Sequence, residues 1–113
     1  RAPVRVRLAN IDAPEKAQAF GEKSRQALAA RVFRQHVSII DHGRDRYGRQ
    51  IGEVLVAGQN VNAAQVRDGM AWVYARYNSD PNLPAIEQQA RSARLGLWSD
   101  PSPVPPWDFR RQR

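Results

Sequence analysis

Two short segments of the chain concentrate the side chains that could do chemistry: Arg7-Leu8-Ala9-Asn10-Ile11-Asp12-Ala13-Pro14-Glu15 and Asp45-Arg46-Tyr47-Gly48-Arg49. Together they offer arginines and carboxylates at strand ends and in loops, the parts that phosphodiester hydrolysis needs. A hard cation on oxygen ligands binds a phosphate oxygen and orients water. Guanidinium groups stabilise charge on the equatorial oxygens of the transition state, and a carboxylate takes a proton from the attacking water. Each element alone has a plainer reading: a solvent-facing strand arginine, an Asp-Ala-Pro turn, an ordinary hairpin tip. Geometry adds a condition. Strict alternation puts Arg7 and Asp12 on opposite faces of a strand, so they converge only if the strand bends or bulges near Asn10.

The elements that must position these residues follow from the hydrophobic pattern. Val4, Val6 and Leu8 alternate with Arg5 and Arg7, which predicts a half-buried strand over 4–8, stopped by Pro14. Residues 21–34 read as a helix with Ser24, Ala27, Leu28, Arg31 and Val32 at helical spacing. His36 to Asp41 predicts a strand, 42–48 a loop, Arg49 to Val56 a second strand, and Ala57 to Asn60 a turn. Asn62 as cap with Gln65 at N3 predicts the next helix start, with Val61 and Val66 as a staple, and Gly69 its end. Residues 70–77 read as extended and aromatic, 78–82 as a loop, and about 83–95 as a last helix with Leu83, Ile86, Ala90, Ala93 and Leu97 as its apolar stripe. The tail from Asp100 carries four prolines and three arginines and is expected to lack regular structure, pinned by Trp98 and Trp107. Trp72 and Trp98 are expected in the core.

Composition fits one globular domain: 113 residues, 42% hydrophobic and 26% charged. The absence of cysteine excludes disulfides and thiolate metal sites. His36 and His42 match no common ligand spacing. No apolar run approaches the roughly 18 residues needed to cross a bilayer, and no membrane partner is expected. The net charge is +7, and only two of the 18 basic residues are lysine. An arginine-rich domain of this pI, about 11, has the electrostatic footprint of a nucleic-acid binder, although the same charge also serves solubility.

The order Arg-Leu-(x)3-Asp-(x)-Pro-Glu, then Asp-(x)-Tyr-Gly-Arg, strongly resembles the staphylococcal nuclease (thermonuclease) family. Gly58-Gln59-Asn60-Val61-Asn62, Val66 to Ala71, Ala90 to Trp98 and Pro103 to Trp107 continue the likeness over nearly the whole chain. The resemblance implies class α+β, an OB-fold five-stranded Greek-key barrel with three α-helices, over residues 1–99, with 100–113 as a Pro/Arg-rich tail. It implies a calcium-dependent nuclease of DNA and RNA with little sequence preference, favouring single strands and giving 3′-phosphate products. By position, Arg7 and Arg49 match the catalytic arginines and Glu15 the catalytic glutamate. Asp12 matches a calcium ligand, and Ala13 a ligand through its backbone carbonyl. Arg46 and Tyr47 match contacts to a terminal phosphate, and Tyr74 or Tyr77 supplies an aromatic wall for a base. Bacterial relatives point to a secreted or periplasmic setting.

One departure concerns the family's other calcium aspartate, which lies in a segment upstream of Arg1. The N-terminal barrel strands are therefore expected to be missing from this chain, with weak calcium binding and an open edge that invites strand-swapped or edge-paired homo-oligomers. The alternative reading is a non-catalytic OB module that binds nucleic acid as a scaffold. Joint retention of Arg7, Asp12, Glu15 and Arg49 favours the enzyme. A protein-interaction module built on the Pro/Trp tail explains neither the arginines nor the charged cluster.

Overall fold

The computed structural model describes residues 5–112; Val4, placed in the first strand by the alternation, lies outside them. Within the described residues the class is α+β. Strand β1 (Val6–Leu8) runs parallel to β4 (Gln50–Val56), which is antiparallel to β3 (Val37–Arg44) and to the short β5 (Gln59–Asn60). A separate two-stranded ladder joins β2 (Ile11–Asp12) to β6 (Trp72–Val73). Four α-helices surround these sheets: α1 (Gly21–Val32), α2 (Val61–Arg67), α3 (Leu83–Ser92) and α4 (Pro106–Arg111). A 3₁₀ turn spans Gly96–Ser99.

Two neighbouring cores hold the elements together. Ile11, Val66, Ala71, Val73 and Leu83 form one, with Leu8, Ala13, Ala63 and Ile86 packed against it. Trp72, Ala90, Leu97 and Trp98 form the other, flanked by Phe20 and Trp107. The expected core tryptophans, Trp72 and Trp98, meet edge to face at 4.5 Å, a favoured aromatic geometry. Arg91, exposed on α3, lies over the Trp98 ring at 4.1 Å.

Several local expectations are corrected. The cap of α2 is Asn60, whose side chain accepts from the Ala63 N–H at 3.0 Å. Asn62 and Gln65 are buried inside the helix and serve other elements: Asn62 bonds to strand residues, and Gln65 donates to the Ser24 carbonyl. With Asn60 as cap, Val61 is the first helical residue, so Val61 and Val66 no longer bracket the cap as a staple. His42, Gly43 and Arg44 continue β3 through an irregularity between Asp41 and Arg44, where Gly43 takes φ 93°. The chain turns after Val73 instead of extending to 77, because β6 has only the two-residue β2 to pair with. Helix α3 ends at Ser92, and Ala93 is exposed rather than part of the stripe.

The tail supplies the fourth helix. Proline density was the reason to expect no structure there, yet Pro105 is the N-cap and Pro106 the first helical residue. A proline at that position loses no intrahelical bond, and its ring presets φ. Pro106 is buried and Trp107 packs on Trp72 and Tyr74, which anchors a helix too short to persist alone.

Candidate active site

Asn10 decides whether the arginine and acid segments can meet. It adopts φ 72°, a left-handed conformation that asparagine tolerates better than most residues. The ladder breaks there into β1 and β2, which is the bend that convergence of Arg7 and Asp12 requires. The bend is held on both sides. The Asn10 carbonyl accepts from Tyr74 N–H at 2.9 Å, and its side-chain oxygen accepts from Ser79 N–H at 2.9 Å and from the Ser79 hydroxyl at 3.2 Å.

Glu15 is set by the turn that follows. Its N–H donates to the Gln18 side chain at 3.0 Å, and its carbonyl accepts from Gln18 N–H at 2.8 Å. Gly21 begins α1 directly against this turn; a Cβ there would lie 1.9 Å from the Glu15 carbonyl oxygen. Only glycine permits that approach.

The second segment is organised by Asp45. One carboxylate oxygen accepts from the Tyr47 and Arg49 N–H groups at 2.9 and 3.0 Å, and the other accepts Arg49 Nε at 2.7 Å. Burial pushes the Asp45 carboxyl up, but the bonds from Arg49 and Tyr47 outweigh it and hold the group below its ordinary value. With Nε engaged, the other four of arginine's five N–H donors sit on the two Nη atoms. The Arg46 and Arg49 guanidinium groups each lie 5.8 Å from the Tyr47 ring centre.

These segments face one groove of about 970 Å³. Every residue singled out from the sequence lines it: Arg7, Asp12, Ala13, Glu15, Arg46, Tyr47, Arg49, Tyr74 and Tyr77. The two tyrosines differ in environment. Tyr77 is exposed, whereas Tyr74 is half-buried, stacked on Trp107 with ring centres 5.1 Å apart, and has the Arg7 guanidinium 5.3 Å over its ring. His42 also borders the groove, with Nε2 at 2.6 Å from Glu53.

One groove residue had no counterpart in the sequence reading. Arg110 of α4 spans the acid pair, with Nη2 2.6 Å from Asp12 Oδ2 and Nη1 3.2 Å from Asp12 Oδ1 and 2.8 Å from Glu15 Oε2. The Asp12 hydrogen bonds, opposed by burial and joined by the bond to Glu15, raise the pKa of this guanidinium. Pro-Pro-Trp marks the helix start that carries Arg110, but nothing local to Arg110 points to acids 98 and 95 residues away. Asp45 was visible in the motif, but its role as organiser of Arg49 was not.

The acid pair also permits a test of fit for calcium. Asp12 and Glu15 offer hard, anionic oxygens that already converge on one positive group, which is the right donor chemistry for part of such a site. Among the described residues no group of three or more His, Cys, Asp or Glu side chains is arranged to hold a metal. Carbonyls, water or substrate oxygens would have to complete the six to eight ligands that calcium takes.

The family model described as staphylococcal nuclease homologue matches residues 5–100. The chain belongs to this family. Proteins similar to it include Protein ParB of Escherichia coli, 52% identical over 123 aligned positions covering 99% of this chain and 70% of that protein. An uncharacterized endonuclease of Escherichia coli O157:H7 is 48% identical over 114 positions, covering 100% of this chain and 74% of the relative. A micrococcal nuclease of Shigella flexneri is 48% identical over 122 positions, covering 98% and 70%.

Proposed function

We propose that this chain is a calcium-dependent nuclease that hydrolyses phosphodiester bonds of DNA and RNA with little sequence preference. The observation that carries the reading is the single groove that contains Arg7, Asp12, Glu15 and Arg49. Family membership and the relatives named as nucleases support it.

In this reading Arg7 and Arg49 grip the scissile phosphate and stabilise its equatorial oxygens as charge builds. Glu15 accepts a proton from a water aligned opposite the leaving 5′ oxygen, which leaves a 3′-phosphate on the product. Asp12 and the Ala13 carbonyl would be among the ligands that hold calcium, which would polarise the phosphate as a Lewis acid. Arg46 and Tyr47 bind an adjacent phosphate. Tyr77 and Tyr47, the exposed rings, receive bases of an unpaired strand by stacking, and Tyr74 backs them. The β1–β4–β3 sheet with β5 supports a five-stranded OB barrel as the frame. Exposed Val37 and Ile40 on β3, which has no outer partner among the described residues, support edge-paired association.

The test is a cleavage assay on single- and double-stranded DNA and on RNA, with calcium chloride and with chelator. The expected result is calcium-dependent cutting, fastest on single strands, with new 3′-phosphate ends. Salt-dependent binding without cutting in calcium would overturn the reading in favour of a non-catalytic binding module.

A further inference from the structure

We propose that α4 is a cation-displaced latch, in which Arg110 occupies the Asp12–Glu15 acid pair and must leave before a divalent cation can bind there. This rests on the reading of Asp12 as a cation ligand, with the carboxylate of Glu15 beside it.

Three observations support the latch. The Asp12 side chain is only 8% exposed, and both of its oxygens bond to the Arg110 guanidinium. A carboxylate so withdrawn from water needs a compensating positive charge; Arg110 provides one, and a divalent cation on the same oxygens is its natural replacement. The two cannot occupy those lone pairs together. Second, the same helix covers a second part of the groove, because Trp107 stacks on Tyr74 with planes 4° apart. Arg110 and Trp107 lie three residues apart, so they share one face of α4 and leave together. Third, α4 is six residues long. Gln18 Nε2 donates to the Val104 carbonyl just before it, and buried Pro106 and Trp107 seat it. A helix of that length has little stability of its own, so its position depends on these contacts, and its release uncovers one flank of the Trp72 core.

The latch makes cation binding and α4 release one equilibrium. An acid pair that is open in only a tenth of the molecules binds its cation about tenfold more weakly than a permanently open one. Trp107 and the trypsin sites at Arg110 and Arg111 report release without any reference to catalysis.

The experiment titrates calcium chloride, without nucleic acid, into the full chain, Arg110→Gln and Trp107→Ala. Binding is followed by calorimetry, α4 release by tryptophan emission and by trypsin cleavage at Arg110 and Arg111. Expected are calcium-accelerated trypsin cleavage in the wild type and an about tenfold lower calcium Kd in Arg110→Gln. Trp107→Ala should shift Kd the same way while keeping the Arg110 charge, and it stands in should Arg110→Gln fail to fold. Equal or weaker calcium binding by the variants, or no binding by any of them, overturns the latch. DNA cleavage measured in parallel separates the two proposals. Tighter calcium binding without cutting leaves the latch and removes the nuclease reading; cutting with unchanged Kd does the reverse.

Discussion

The Asn62 side-chain amide donates to the Ala9 carbonyl at 3.0 Å, joining α2 to the strand end that carries the arginine and acid segment. The same amide donates to the Gly52 carbonyl at 3.1 Å, and its oxygen accepts from Val54 N–H at 3.1 Å. Asn62 is 1% exposed, so no water can replace these bonds. Asn62→Ala would remove this partner from the Ala9 carbonyl and the Val54 N–H, while the Gly52 carbonyl keeps the Ala9 N–H at 2.8 Å; each group left unsatisfied costs about 1–3 kcal/mol. The expected loss is about 2–4 kcal/mol, read as a lower urea midpoint with an unchanged slope. A wild-type midpoint would show that β1, β4 and α2 do not depend on this bridge.

Asn10 combines a left-handed backbone with side-chain bonds to Ser79, and two substitutions separate the contributions. Asn10→Gly keeps the conformational freedom but loses the side-chain bonds. Asn10→Ala loses both, with about 1–2 kcal/mol of added backbone strain. Stability is expected to fall in the order wild type, Asn10→Gly, Asn10→Ala, each step measurable by chemical denaturation. Equal stability of the two variants would mean that the bend is set elsewhere.

Local pattern made the site legible before the fold was. The alternation around Arg7 located β1 and also exposed the conflict between Arg7 and Asp12, which the turn at Asn10 resolves. The β-branched run before Asp41 and the periodicity of Leu83, Ile86 and Ala90 located β3 and α3, because both patterns reflect a buried face. Errors arose where two residues competed for one role. Asn60 and Asn62 both suit a cap, and only the strand contacts of Asn62 decide between them. The tail prolines could equally break a chain or open a helix, and the apolar seat for Trp107 favours the helix. Arg110 carries no local signal at all: its acids lie 98 and 95 residues away.

Asp45 makes the order of the second segment sensitive to acid. Its carboxyl is held below the ordinary value, with burial opposing and the Arg49 and Tyr47 bonds prevailing. The unfolded chain therefore binds that proton more readily than the folded one, and the Asp45 contribution to stability grows with pH. It is fully present above the ordinary aspartate pKa of about 3.9 and is lost as pH falls through the lower, folded value. Denaturation of wild type and Asp45→Asn should differ at about pH 6, and the gap should narrow towards about pH 3. A gap of constant size would assign the effect to something other than the carboxylate charge.

Arg49 tests whether guanidinium geometry, rather than positive charge, carries the proposed chemistry. Asp45 accepts from Nε, which fixes the plane of the group and directs the Nη fork. Lysine has one ammonium and no such fork, so it cannot hold Asp45 and grip two phosphate oxygens at once. Arg49→Ala and Arg7→Ala are each expected to slow single-turnover cleavage by about 10²-fold or more, equivalent to about 3 kcal/mol of barrier. Arg49→Lys should recover little of that loss. Both side chains are only partly buried at the groove wall, so thermal midpoints should move by no more than a few degrees. Wild-type rates in Arg49→Lys would reduce Arg49 to a point charge and remove Asp45 from the working parts of the site.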